Sequence, residues 1–349
     1  MTNYYLSLAD YARRTDPDGS TADIAEVLSQ CNEIYDDLVF TEGNLPTGHK
    51  CTVRTGLPQG TWRMLYQGVP SGKSTTAQIQ DGVGILEAFS VVDRSLAELS
   101  GNVGEFRYSE DNSFLEGLSQ QVATALFYGN ASINPSQFSG LSVRFNTVSR
   151  ATALNAVNVL DGGGTGSSNT SIWLCCWGPK TGFGIFPKGA KAGLQHEDLG
   201  ITWPGVDANN NRYVAYTSHF TWAVGLVVRD WRFFSRICNL DATTAAGGLG
   251  SATPPDIYAY MSKAVVRIPT FSRTVSGITK TDAPNQTAPE IKPAWYVNRT
   301  VRQYMDLQAI RDKNVLISYK EYAGAPVTEF RGVPIRVCDV ILNTESRVV

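Results

Sequence analysis

The sequence is poor in the residues from which most catalytic centres are built. Its 349 residues hold three histidines, His49, His196 and His219, which lie far apart and do not pair at metal-ligand spacing. The stretch Gln195–Asp198 (QHED) is half a ligand set in a Gly/Lys-rich segment and reads as a solvated turn, so no metal is expected. A Gly-x-Ser-x-Gly nucleophile elbow is missing; the nearest run, GGLGS at 247–251, sets its serine directly after a glycine. The six cysteines (31, 51, 175, 176, 238 and 338) form no CxxC pair and read as buried free thiols suited to a reducing compartment. Cys175 and Cys176 are adjacent, which on a strand directs them to opposite faces.

Charge and long apolar runs are scarce as well. Only 18% of residues are charged and the net charge is −2, so there is no broad basic field for gripping nucleic acid. No apolar run approaches the length of a membrane-spanning helix, and the opening MTNYYLSLADYARRTD lacks the apolar core of a secretion signal. The sequons at Asn169 and Asn298 therefore carry no glycosylation message. The expectation is a chain made and kept in a cytoplasm, with no cofactor and no membrane partner.

What is present points to a packed, strand-rich molecule. Apolar residues make up 42% and aromatics 10%, ample for a core and incompatible with global disorder. One short stretch imitates a nucleotide site. GKST at 72–75 resembles the tail of a phosphate-binding loop, but that loop needs its first glycine five residues before Gly72. Position 67 is Gln67; Gly68 stands one residue too close, and the following STTAQIQ is polar and β-prone instead of opening an apolar helix. Lys73 thus reads as a solvated lysine on an exposed loop. An enzyme using Lys73 on a nucleotide is kept as the outlying alternative.

Periodicity organises the rest. Residues 20–40 predict a helix with Ile24, Val27, Leu28, Cys31, Ile34, Tyr35 and Leu38 on one face. Residues 50–80 predict a long hairpin from KCTVRTGLP and GTWRMLYQG, closing through PSGKSTT. A two-stranded ribbon of this kind is marginal alone and must lie on something. DGVGILEAFSVVDRSLAEL predicts strand, turn and helix. SEDNSFLEGLSQQVATALFYGN predicts a helix of four to five turns, capped at Ser109 or by a Ser113/Glu116 box, with Leu115, Leu118, Val122 and Leu126 as its stripe and Gly129 as its stop. Further on, SIWLCCWGPKTGFGIFPKG predicts a hairpin turning at Gly178-Pro179, and HFTWAVGLVVRDWRFFSRICNL is the most strand-like run. DIYAYMSKAVVRIP predicts a helix, PAWYVNRTVRQYMDLQAIRD a strand then helix, and TEFRGVPIRVCDVIL a strand broken at Gly-Val-Pro. Segregated strands with a few helices indicate the α+β class, without internal repeats.

Two constellations remain. Trp203, Trp222, Trp231 and Trp295 stand at strand spacing, where aromatics build cores more often than stacking platforms. Arg229, Arg232 and Arg236 sit among aromatics; a nucleic-acid groove competes there with an exposed strand edge meeting carboxylates of a neighbouring chain, which is preferred. Acidic pairs such as Glu110 and Asp111 read as helix-end charges.

Taken in order, YQGVPSGKSTTAQI, ILEAFSVVDRSLAEL, FLEGLSQQVATALFYGN and NPSQFSGL resemble the major capsid proteins of tailed bacteriophages, with the Hong Kong 97-type fold. PAWYVNRTVRQYMDLQAI followed by TEFRGVPIRVCDVIL is similar to that family's A-domain passage. The resemblance implies an N-terminal arm and helix (1–48), an E-loop hairpin (49–80), a P-domain with its spine helix (81–145), P-domain strands and connecting loops (146–245) and an A-domain (246–349). The A-domain passage closes the chain here, which implies a non-circular permutation like that of some short-tailed phages. It also implies a non-enzymatic coat protein assembling into pentamers and hexamers of an icosahedral virion. The implied partners are a separate scaffolding protein, a portal, a cement or decoration protein and packaged double-stranded DNA, with assembly in the bacterial host cytoplasm. Trp62, Arg63, Tyr66, Lys73, Arg229, Arg232 and Arg236 are the expected subunit contacts. Glycine-rich joints at 162–166 and 247–250 would let one chain fit quasi-equivalent positions. A tail or decoration component is the alternative virion protein.

Overall fold

The run NTSIWLCCW, with no charge in nine residues, forms the centre of the molecule. Every residue of this strand is buried, so both faces of its sheet are covered. The computed structural model describes residues 8, 28–99, 101–206, 212–269, 291–311, 317–322 and 325–349. In chain order the strands are β1 (Phe40–Glu42), β2 (Gly48–Gly56), β3 (Thr75–Asp93), β4 (Val159–Asp161) and β5 (Asn169–Trp177). Then come β6 (Gly182–Phe186), β7 (Gln195–Val206), β8 (Arg212–Val228), β9 (Phe234–Asp241) and β10 (Lys292–Val297). β11 (Ile317–Tyr322), β12 (Ala325–Phe330) and β13 (Val333–Val337) close the series. The helices are α1 (Ile34–Asp37), α2 (Arg94–Leu99), α3 (Val103–Tyr128), α4 (Leu141–Arg144), α5 (Ile257–Arg267) and α6 (Arg299–Arg311).

Two sheets result. One runs β11-β12-β13-β10-β5-β9-β4; the other runs β1-β6-β8-β3-β2, with β7 also on β8. The long helix α3 braces both. Its N-terminal half meets the second sheet: Phe106 is buried with Val92 and Leu96, and Phe114 stacks on Phe220 at 6.3 Å. Its C-terminal half puts Val122, Leu126 and Phe127 into the main core, where Phe127 lies 6.2 Å from Trp173. Leu118, between them, is 4% exposed. Polar tips of the core aromatics are satisfied in series: Trp177 Nε1 donates to Tyr296 Oη at 2.8 Å, and Tyr296 Oη donates to Asp37 at 3.0 Å. Arg336 completes the chain with an ion pair to Asp37 at 3.2 Å.

Several expectations need correction. The helix expected over 20–40 lies outside the described residues up to 27; beyond that only α1 is helical, and Phe40 is already in a strand. Asn32 bridges Cys338 there, so backbone pairing with the chain's last segment displaces the helical periodicity, and Leu28 and Cys31 are exposed. The helix α3 begins earlier than Ser109. Asn102 is its cap, accepting from Glu105 N while its own amide donates to Glu105 at 2.9 Å, whereas Ser113 Oγ merely donates to Glu110 O. Glu110 and Asp111 are therefore interior to the helix.

The expected hairpin at 171–189 does not exist as a pair. β5 joins one sheet and β6 the other, with a single bridge, Gly178↔Gly182, at the turn. The run 219–240 is likewise two strands in different sheets, broken by a 3-10 turn at Trp231–Phe233. The QHED stretch begins β7 instead of forming a turn, with His196 opposite Phe220 in register. The last hairpin turns at Arg331-Gly332, both at positive φ (52° and 76°), the mirror-type turn that suits β12–β13. The glycine-rich joints are mixed: Gly162, Gly164, Gly248 and Gly250 are close approaches, whereas Gly163 and Gly247 stand in open space at positive φ (90° and 86°). A Cβ on Gly164 would stand 2.7 Å from Asn239 O, and one on Gly250 2.7 Å from Tyr304 Oη.

Candidate functional site

The β2–β3 ribbon leaves the body from a tightly built root. Arg144 pairs with Asp81 at 2.8 Å and donates to Leu226 O and Ser139 O, and Asp81 is 8% exposed. Cys51 packs with Phe183, Ile185 and Val227 in a small core of its own, and His49 sets an edge against Phe183 at 5.4 Å. Burial, with the nearby Arg229 guanidinium, lowers the pKa of His49 and favours its neutral form. Gly48 has φ +158°, and a Cβ there would meet Asp81 O at 2.0 Å, so no larger residue fits this crossing.

From Gly48↔Gly82 the pairing runs outward to Gly56↔Thr75. Nine residues at about 3.3 Å each carry the tip about 30 Å from the root. The strand expected at 60–68 is part of the loop 57–74 instead. The partner of β2 is the outer end of β3, whose inner half is already fixed on β8. Pairing therefore grows outward from an anchored strand, and Pro58, Gly60, Gly68 and Pro70 interrupt any competitor.

The loop is held by few internal bonds: Gln67 N donates to Met64 O at 3.2 Å and Arg63 to Gln67 O at 3.0 Å. Trp62 and Tyr66 are 102% and 103% exposed, and Leu57, Met64, Leu65 and Val69 are exposed beside them. Each such side chain is worth about 1.5–3 kcal/mol on full burial. A contiguous apolar tip on a long arm is a contact waiting for a second surface. The whole segment 48–80 carries Lys50, Arg54, Arg63 and Lys73 and no Asp or Glu.

The body offers a complementary surface. The first half of α3 carries Glu105, Glu110, Asp111 and Glu116, and its one cation, Arg107, is committed to Asp198 at 2.6 Å. Arg107 also lies 5.0 Å over the Tyr216 ring, and Asp111 accepts from Ser218 Oγ at 3.0 Å. Alongside, a cleft of about 530 Å³ opens between α3 and β3, lined by Ile85, Leu86, Gln121, Thr124, Ala125 and Phe138. Ile85 is 62% exposed at its mouth.

The expected contact residues divide. Trp62, Arg63, Tyr66 and Lys73 lie together on the exposed loop. Lys73 is followed by strand, so no helix N-terminus faces it, as a phosphate cradle requires. Arg229 is exposed at the ribbon root, and Arg232 is exposed but paired with Asp230 at 2.7 Å. Arg236 corrects the expectation: it is 4% exposed, pairs with Glu345 at 2.9 Å and lies 4.9 Å over Trp173, so its charge serves the chain's own interior. Trp295 is core, and Trp222 and Trp231 pack against it partly buried. Burial pushes the Cys238 thiol up to about 12 and those of Cys175 and Cys176 higher, consistent with inert core thiols.

The Arg236–Glu345 cluster has no local signal. Glu345 also accepts from the hydroxyls of Tyr128 and Ser171, and its backbone exchanges bonds with Asn169. Asn239 both donates to Val348 O and accepts from Val348 N, clasping the last residues beside β9.

The family model described as "Major capsid protein GP7" matches residues 16–349. A chain in the structure of bacteriophage Epsilon15 is 30% identical, with 100% of this chain and 98% of that one covered and a TM-score of 0.76. A chain of the bacteriophage JBD30 capsid is similar at 12% identity, covering 91% and 95%, with a TM-score of 0.46. No match was found among curated protein sequences.

Proposed function

The chain belongs to the major capsid protein GP7 family, and from that premise we propose how its own surfaces build the shell. It is a structural coat protein with the α+β, Hong Kong 97-type fold, self-assembling into the icosahedral shell of a tailed bacteriophage and forming part of the virion. In our reading the β2–β3 ribbon is the E-loop and α3 the spine helix. The proposed division is arm 1–48, E-loop 49–80, P-domain 81–145 and 146–245, and A-domain 246–349, in a permuted order.

Rings of identical subunits need heterologous contacts, in which one patch meets a different patch on the next copy. The ribbon and the α3 face supply such a pair. The ribbon tip cannot reach its own cleft, which begins at the root about 30 Å away along the strand. A neighbour's tip fits there, with Trp62, Leu65 and Tyr66 entering the cleft and Arg63 and Lys73 facing the acidic half of α3. Arg229 and Arg232 are proposed as further contacts at the ribbon root and the exposed 3-10 turn. Many copies of a modest contact make the shell effectively irreversible. The observation carrying this reading is the fully exposed apolar tip on an arm without carboxylates. We further assign assembly to the host cytoplasm with a scaffolding protein, portal and decoration protein, and no catalytic activity to the chain.

The test is the double variant Trp62→Ala/Leu65→Ala. Because both side chains stand in solvent, its unfolding free energy should stay within about 0.5 kcal/mol of the parent. Rings and shells, counted by electron microscopy, should fall sharply. Parent-like shells from this variant would refute the assignment of the tip.

A further inference from the structure

A second charged surface lies away from the ribbon and is not used by the shell contacts above. Lys263, Val266 and Arg267 of α5 share a shallow concavity of about 390 Å³ with Ser262 and with Arg331 from the β12–β13 turn. Arg150 stands close enough that its charge, after burial itself, lowers the pKa of Arg267. Other half-buried or buried guanidiniums face carboxylates: Arg107, Arg144, Arg236, Arg302 and Arg336 all do. Arg267 does not, among the described residues; it donates to the Val157 carbonyl at 2.6 Å. The negative end of α5 accounts for cations on its last turns but not for Arg150 and Arg331 arriving from elsewhere.

Aromatic rings orient this group. Lys263 Nζ lies 4.9 Å over Tyr260 and the Arg331 guanidinium 5.9 Å over Phe330, at the turn where Arg331 adopts φ 52°. Among the described residues Lys263, Arg267 and Arg331 form no ion pair with a carboxylate; like charges so gathered repel, and an arriving anion relieves that repulsion. Lys263 and Arg267, one helical turn apart, are separated by about 6 Å along the axis. That separation is comparable with the spacing of neighbouring phosphates on one strand, which carries one charge per about 3.4 Å of duplex axis. The concavity is open and shallow, unsuited to enclosing a small anion.

We propose that this concavity binds the phosphodiester backbone of duplex DNA through Lys263, Arg267 and Arg331, turning this face toward the packaged genome. The proposal rests on the coat-protein reading. It commits to nucleic acid over an acidic segment of another copy because the acidic half of α3 is already matched by the cationic ribbon.

The experiment uses the unassembled full chain and a fluorescent 20-base-pair duplex, with anisotropy followed across a potassium chloride series. The variant is Lys263→Glu/Arg331→Gly, glycine being suited to the left-handed turn. It removes two phosphate contacts, so the slope of log affinity against log salt should become shallower by about 1.8. A charge-matched control, Lys180→Glu/Lys188→Ala, should leave the slope unchanged. Equal slopes for parent and patch variant, or equal losses in patch variant and control, would overturn the proposal. Shell assembly is scored on the same proteins. Intact duplex binding with failed assembly in the patch variant would make the patch a protein–protein contact and also overturn it. Failure of the parent itself to form shells with its scaffolding protein present would count against the coat-protein reading, whatever the duplex result.

Discussion

Removing the carboxylate of Glu345 is the sharpest perturbation the interior offers. Arg236 and Glu345 are each 5% exposed at the side chain and pair at 2.9 Å. Glu345→Ala leaves a guanidinium buried against Trp173, with Ser171 Oγ at 3.1 Å and Phe145 O at 2.9 Å as its remaining partners. Breaking a buried pair from one side costs about 3–5 kcal/mol. The hydroxyls of Tyr128 and Ser171 lose their acceptor too. Burial, and then the Glu345 carboxylate, push the Tyr128 phenol far above its ordinary pKa, so it stays protonated and is left as a buried donor. These losses share one site and do not add, so the expected total stays near the upper part of that range. A chain with about 5–15 kcal/mol of stability would lose a large share of it. The assay is guanidinium unfolding of the unassembled chain, read as the shift in midpoint at constant slope. The double variant Arg236→Met/Glu345→Leu removes both charges and should recover most of the loss. A Glu345→Ala cost below about 1 kcal/mol, or a double variant as damaged as the single, would refute the clasp.

Other expectations are more local. Leu118→Asp charges the buried stripe of α3, and soluble, assembly-competent protein from it would show that the stripe is misplaced. The hydrogen bond from Arg107 holds the Asp198 carboxyl below the usual carboxylate range. A depressed carboxylate contributes stability above its unfolded pKa of about 3.9 and loses it as pH falls through the lower folded value. Asp198→Asn should therefore be less stable than the parent at pH 7, with the gap closing toward pH 3 in thermal melts; a pH-independent gap would contradict the pairing. Lys73→Ala should leave ATP binding undetectable, as in the parent, by calorimetry; measurable binding lost on substitution would reinstate the nucleotide site.

Local patterns were the most legible part of the chain. The apolar stripe of α3, the helix in DIYAYMSKAVVRIP and the strand-then-helix passage PAWYVNRTVRQYMDLQAIRD follow from periodicity, and the structure holds all three. The spacing around Gly72 spoke against a phosphate cradle without coordinates. The α3 start was misplaced because Ser109 and Ser113 look like caps, while Asn102 closes its box with Glu105 further upstream. The ribbon was recognised as a hairpin too poor in apolar surface to fold back, but its second strand was set at 60–68. Pairing there depends on where β3 is anchored on β8, whose paired residues lie 122 to 142 positions away in sequence.

What the amino-acid sequence alone determined is therefore composition, helix faces and the cation-rich ribbon, because each depends on residues within a turn or a strand of one another. Tertiary structure decided the rest. Whether Gly178 joins two paired strands or sends them into different sheets depends on which partners β5 and β6 find in β9, β10 and β8. Whether an arginine is a contact or a core ion depends on a glutamate 109 positions away. Arg229, Arg232 and Arg236 look alike in sequence, and only the third is buried, since burial is a property of the packed sheet and not of the strand that supplies it.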